Sequence, residues 1–249
     1  MAVSCAKTSA AVTTLYEQDE LAQLTGGVLR PGGLALTTEL LRSCRPTPGS
    51  ASLDIGCGPG HSVALMASDF GLQACGLDPS AAMLVKAARA MPKAAFIEGI
   101  ATAIPFAPDS FALVLCECVL SLTGNIEQSL SEMFRILQPN GTLLLTDIYR
   151  KNNQAQPDLP NVQSCITSAL PLETIETELY NAGFTLLSLV DRSELLKQLA
   201  GQIIFSYGSL AKFWQLFMGV EQAHQTCCTL RTTPLGYYVI IAKKDIIES

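Results

Sequence analysis

The chain is poor in charge. Only 15% of its 249 residues are Asp, Glu, Lys or Arg, and its formal net charge is −6. No basic block occurs anywhere, and binding to nucleic acid needs clustered Lys and Arg to neutralise phosphates. Nucleic acid is therefore not an expected partner. Long hydrophobic runs are also missing. Phe111–Cys116 is among the longest, far short of the ~20 residues that span a bilayer. The first residues carry one Lys and no continuous apolar stretch, so no secretory signal is expected. These absences lead to the expectation of a cytoplasmic protein that does not enter a membrane. Nine cysteines form no CxxC pair. Cys116 and Cys118, like Cys227 and Cys228, are too closely spaced for an ordinary zinc pair, so no metal site is expected. Each thiol reads first as a small buried apolar side chain.

What the chain does have is apolar material, 49% of its residues, enough to bury a substantial core. Strand and helix signals alternate. Strands are expected at 52–55, 73–77, 95–98, 111–116 and 142–147, with helices at about 61–70, 80–90 and 126–137. Pro79 suits the first turn of the second helix, and Pro139-Asn140-Gly141 reads as a turn. A helix at 172–181 ending at Gly183, a strand at 184–190 and a last strand at 237–242 follow. This rhythm implies a parallel sheet with right-handed crossovers. The expected fold is α/β: a Rossmann-like, seven-stranded, mostly parallel sheet flanked by helices. An N-terminal helical cap (1–48) precedes the core (49–191). A helical insertion (192–230) comes before the last strand and tail (231–249). The insertion reads as a lid, a packing layer or a homodimer face. A lid would include the N-terminal helices; Tyr16 of the cap and Trp214 of the insertion are its candidate aromatics, with core packing as the alternative for each.

Two signals carry chemistry. Asp54-Ile55-Gly56-Cys57-Gly58-Pro59-Gly60 joins a strand to a helix through glycines that let a ligand lie against the backbone. The spacing is GxGxG with His61 following, which weakens a dinucleotide reading. Asp78 ends the next strand, where a carboxylate can accept both hydroxyls of a ribose. Alone, Asp78 also reads as a helix cap, but the order and spacing of the two signals favour a nucleoside-containing cofactor.

These residues resemble those of the class I S-adenosylmethionine-dependent methyltransferases that act on small molecules. Asp54–Gly60 is similar to that family's first motif and Asp78 to its ribose-binding acid. Ile104-Pro105-Phe106 with Asp109-Ser110-Phe111, and Arg135–Gly141, are similar to its later signatures. The resemblance implies S-adenosyl-L-methionine as cofactor. It places the methionine part on Asp54 and the backbone of Gly56, Cys57, Gly58 and Gly60. It places the ribose on Asp78 next to Pro79, and the adenine near Met83 and the backbone of Ala101. Two positions depart from the family pattern: Ile100 stands where many relatives have an adenine-binding Asp, and Ala112 follows Phe111 in place of an Asp.

A sulfonium methyl is already electrophilic, so alignment can suffice and no base need be recognisable. Acceptor-site candidates at the strand ends are Glu117, Cys118, Asp147 and Tyr149. Glu117 reads equally as a rim acid. Glu117–Leu122, with Ser164-Cys165 further on, also resembles two cysteine regions of arsenite methyltransferases, which implies Cys118 and Cys165 as metalloid ligands. Two structural cysteines are the alternative. The expected function is methyl transfer to a small-molecule acceptor. The alternatives are a thiophilic metalloid, a protein or peptide acceptor, or a non-catalytic cofactor-binding protein.

Overall fold

The computed structural model describes residues 28, 30–152 and 164–245. Tyr16 and the Thr25–Gly27 break lie outside them. A turn with positive φ at Gly32 and Gly33 opens helix α1 (Gly33–Cys44). Then come β1 (Ala51–Ile55), α2 (His61–Phe70), β2 (Gln73–Asp78), α3 (Ala81–Ala90), β3 (Ala95–Glu98) and β4 (Phe111–Glu117). After a 3₁₀ turn at Leu120–Leu122 follow α4 (Ile126–Ile136), β5 (Leu137–Arg150), the short β6 (Leu170–Pro171), α5 (Leu172–Asn181) and β7 (Phe184–Asp191). Helices α6 (Ser193–Tyr207), α7 (Leu210–Trp214) and α8 (Val220–Thr232) precede β8 (Leu235–Lys244).

The sheet order is β3-β2-β1-β4-β5-β8-β7, with β6 paired to β5. Strands β1 to β5 are parallel, and β8 runs antiparallel between β5 and β7. The expected sheet thus gains an eighth strand of only two residues, too short for any periodic signal. Central strand β4 and the Leu143–Tyr149 part of β5 are buried almost throughout, and the unbroken apolar run of β4 suits a strand with helices on both faces. One core layer joins Leu53, Ile55 and Val114 to Leu130 and Met133 of α4. The other joins Leu36, Leu40 and Leu41 of α1 to Met66, Leu115 and Tyr237.

Two local expectations need correction. Pro79 is not in the first turn of α3; Ser80 is the cap, and its hydroxyl accepts from the Met83 amide at 3.4 Å. The turn expected at Pro139–Gly141 lies inside a strand: Phe111 pairs with Leu137, but Leu113 already pairs with Thr142. The extra residues bulge out, with Asn140 at φ 64, a conformation Asn tolerates. The turn chemistry was there, but β4 continues on both sides of it and holds the chain in the sheet.

Helices α6 to α8 have a small core of their own, Ile203, Phe213, Trp214 and Ala223. Trp214 is 3% exposed, so it packs rather than faces a ligand. Ile166 packs against both this core and the α1 layer, which ties the insertion to the sheet. Among the described residues no helix is long and apolar enough to cross a membrane.

Candidate functional site

The carboxyl ends of β1, β2, β3 and β4 open on one cleft of about 500 Å³, the place where open α/β sheets receive ligands. Its floor is the glycine-rich turn. Gly56 has φ 70, and a Cβ there would lie 2.2 Å from Val119 Cγ2, so the turn can pass under the β4 loop only as glycine. Gly58 has φ 51 and faces open space, with nothing within 4 Å of where its Cβ would be. It lines the cleft, so its bare backbone is available to a ligand.

Asp78 is the one charged side chain among the described lining residues. It is 8% exposed. Its Oδ2 accepts from the Gly58 amide at 2.8 Å and its Oδ1 from the Ser80 amide at 2.8 Å. One carboxylate therefore fixes both the glycine turn and the start of α3. Pro79, Met83 and Ala101 also line the cleft, and so does Ile100. At the other end, the wall is Cys118, Val119, Leu122 and Thr123.

Other expected residues lie elsewhere. The Cys57 side chain turns into packing with Val63 and Leu84, beneath Gly76, where any Cβ would meet its Sγ at 2.5 Å. Gly60 is held close to Phe96 and Ala87 and caps α2. Neither lines the cleft. Asp54 is buried behind it, 4% exposed. Burial, with the nearby charge of Glu117, raises its carboxyl well above the ordinary range, against the pull of Arg30.

Glu117 belongs to an internal network. Arg30 Nη2 lies 2.7 Å from its Oε2. Thr37 Oγ1 donates to both carboxylate oxygens at 3.1 Å, and Ser62 Oγ donates at 3.3 Å. Arg30 also donates to Thr37 at 2.6 Å and to Ser62 at 3.0 Å. Four polar side chains thus tie the segment before α1 to α2 and to the end of β4. This places Glu117 outside the cleft. Tyr149 is likewise elsewhere: its hydroxyl donates to Asp191 at 3.1 Å.

Asp147 and Cys165 do not line the cleft, yet they converge on Cys118, which does. The two sulfurs and an Asp147 oxygen lie within 4.8 Å of one another, all buried. Cys118 holds φ 56, and its amide donates to Thr146 O at 2.7 Å. The hydrogen bond with Cys165, and then burial, raise its thiol pKa well above the ordinary value. Burial raises the Asp147 carboxyl to about 6, although the amides of Ser121 and Ile148 pull the other way.

Sequence reasoning missed Arg30. Nothing local marks an arginine before a helix as the partner of an acid at the end of β4. It also missed the Val119–Thr123 wall, which is shaped by a 3₁₀ turn rather than by a motif.

A mostly parallel sheet with a glycine-rich turn after β1 and a buried acid ending β2 defines a Rossmann-like protein that binds a nucleoside-containing ligand. The methyltransferase-domain family model matches residues 53–145. An uncharacterised methyltransferase of Synechocystis is 30% identical over 146 residues, 56% of this chain and 68% of that protein. The arsenite methyltransferase of Halobacterium salinarum is 25% identical over 157 residues, 59% of this chain but 40% of that protein. Phosphoethanolamine N-methyltransferase 2 of Haemonchus contortus, solved with phosphomonomethylethanolamine and S-adenosylhomocysteine, shares the fold. Its TM-score is 0.76 at 21% identity, over 91% of this chain and 56% of that one. The chain belongs to the class I methyltransferases, enzymes that use S-adenosylmethionine.

Proposed function

We propose that this methyltransferase acts on a small molecule that meets the cofactor at the Cys118–Thr123 end of the cleft. The observation that carries the reading is the charge pattern of the lining. One buried carboxylate, Asp78, accepts from the amide of Gly58, and no other described lining residue is charged. Such a cleft suits a ligand held at its ribose and otherwise packed. On this reading Asp78 takes the ribose hydroxyls. The backbone of Gly56 and Gly58, with Asp54 behind it, takes the methionine part, and Pro79, Met83 and Ala101 flank the adenine. The amides of Gly58 and Ser80 hold the Asp78 carboxylate in place before any ligand arrives.

Bound S-adenosylmethionine supplies a methyl group on an electrophilic sulfonium. The protein aligns the acceptor and keeps water out, and Val119 and Leu122 give the acceptor end an apolar wall. Orientation of this kind is worth about 7–11 kcal/mol, enough that no dedicated base is required of the lining. The same reading divides the chain into a cap (1–48), a cofactor-binding core (49–191) and an insertion (192–230). No described residue of the insertion lines the cleft.

Calorimetric titration with S-adenosylhomocysteine tests the placement. Asp78→Ala should weaken binding at least tenfold, because each hydrogen bond to a charged group contributes about 1.5–3 kcal/mol. A folded Asp78→Ala variant that binds as well as the parent would sink it. The acceptor is then sought by transfer of a labelled methyl group.

A second acceptor, a thiophilic metalloid such as arsenite, is favoured by the convergence of Cys118, Cys165 and Asp147. Two thiolates suit a soft centre, whose lone pair can attack the methyl directly. The raised Cys118 thiol must lose its proton as the metalloid binds. Cys118→Ser and Cys165→Ser should each abolish methylation of arsenite while cofactor binding survives. Retention of that activity in both variants would exclude metalloid ligation by the pair.

A further inference from the structure

The far end of the cleft, beyond Asp78, is walled by Met83, Gly99, Ile100, Ala101 and Thr102. Among the described residues no carboxylate faces it. The nearest acid in sequence, Glu98, pairs in register with Asp78 on β3 but is exposed and does not line the cleft. The wall is ordered. An isolated bridge joins Ile100 to Ala103, the Ala103 amide donates to Ile100 O at 3.1 Å, and a Cβ on Gly99 would strike Leu77 at 2.7 Å. Ile100 is nevertheless 52% exposed, a branched apolar side chain at the rim.

An exposed apolar residue on a cofactor cleft has a chemical consequence. An exocyclic amine on a purine is read most strongly by an ionised acceptor, and such a hydrogen bond discriminates roughly 10- to 150-fold. The isoleucine side chain accepts nothing. It gains instead from any apolar group brought against it, because that contact removes apolar surface from water. We infer that Ile100 makes the base end of the cleft indifferent to alkylation of the purine 6-amino group. The inference rests on the cofactor placement proposed above, with the ribose on Asp78 and the base beyond it. An S-adenosylhomocysteine carrying two methyl groups on that amine has lost both N–H donors and gained apolar area. It binds this protein as well as the parent compound does.

The test is calorimetric titration of the full chain with S-adenosylhomocysteine and its N6,N6-dimethyl form, repeated on Ile100→Asp. Ile100 is at the surface, so the substitution leaves the core intact, and circular dichroism checks the fold. The wild type should bind the two ligands within about threefold of each other. Ile100→Asp should prefer the parent compound by about tenfold or more, as expected from a hydrogen bond to a carboxylate. A wild type that already favours the parent tenfold would overturn the inference, with the Thr102 hydroxyl as the reader of the amine. Equal binding of both ligands by Ile100→Asp would overturn it too, since the base would then not reach position 100. Failure of the folded wild type to bind the parent at all, or binding unaffected by Asp78→Ala, would remove the placement and the inference together.

Discussion

Asp78, Glu117 and Asp147 are all acids near the carboxyl ends of strands, and their surroundings give them different work. Asp78 is oriented by two amides and faces the cleft. Glu117 is enclosed by Arg30, Thr37 and Ser62. Burial raises its carboxyl, but Arg30 and the two hydroxyls oppose the shift, so the pair is a crosslink between segments. Among the described residues no cation opposes the burial of Asp147, and its carboxyl rises to about 6. A carboxyl raised on folding binds its proton more tightly in the folded state. Its contribution to stability is therefore full below the unfolded value near 4 and is lost as pH rises through 6. Two pH units correspond to up to about 3 kcal/mol. Asp147→Asn should remove this slope. In urea titrations at pH 4.5 and pH 7, the variant should gain stability relative to the wild type at the higher pH. Parallel behaviour at the two pH values would show that Asp147 is not the group responsible.

At the scale of elements, legibility followed the length and regularity of the signal. Strands β1 to β4 and helices α2 to α4 were readable because apolar runs or helical spacing meet glycine, proline or a capping residue at each end. The bulge at Gln138–Gly141 was not readable as part of a strand. Its residues carry turn chemistry, and only pairing on both sides by β4 keeps them in the sheet. In the site, Gly58 and Asp78 were legible because strand-end chemistry is local. The Arg30–Glu117 pair was not, because it joins elements brought together only by the fold. Asp191 is a similar case. It ends β7, and its Oδ1 accepts from both the amide and the hydroxyl of Ser193 at the start of α6. Its Oδ2 accepts from Tyr149 and from Lys151 Nζ at 3.0 Å. Partial burial pushes its carboxyl up, but the bonds from Ser193 and Lys151 outweigh it and hold the group at about 2. Here the linkage has the opposite sign: the contribution is present above the unfolded value near 4 and is lost as pH falls towards 2. The side chain is 46% exposed, so solvent screens much of the Lys151 pairing and the hydrogen bond to the first turn of α6 is the larger part. Asp191→Ala should cost about 1 kcal/mol, the usual worth of such a bond. Hydrogen exchange should accelerate at the amino end of α6 while the affinity for S-adenosylhomocysteine stays unchanged. Unaltered exchange there would mean that α6 is anchored by packing alone.

For the whole molecule, the question is whether the insertion and the sheet melt together. The sheet is sewn across its centre by β4, β5 and β8, and two extensive apolar layers cover it. The insertion rests on four buried apolar residues and an aromatic group of Tyr207, Phe213, Trp214 and Phe217. It meets the sheet through Ile166 and through Leu195 and Leu196 of α6. Few buried contacts mean a low free energy of local opening. The chain carries a single tryptophan, Trp214, and it sits inside the insertion's own core. Its fluorescence therefore reports the insertion alone, whereas far-ultraviolet circular dichroism reports the whole fold. In a urea titration the tryptophan signal should change first, and the two curves should not coincide. S-adenosylhomocysteine should sharpen the separation. A ligand stabilises what binds it by RT ln(1 + [L]/Kd), about 2.7 kcal/mol at a hundredfold excess over Kd. The described residues of the insertion do not touch the cleft, so the main transition should move to higher urea while the tryptophan transition stays in place. If both transitions move together, the insertion is coupled to the occupied cleft. It would then act as a lid over the bound cofactor, and not only as a layer packed on the α1 face of the sheet.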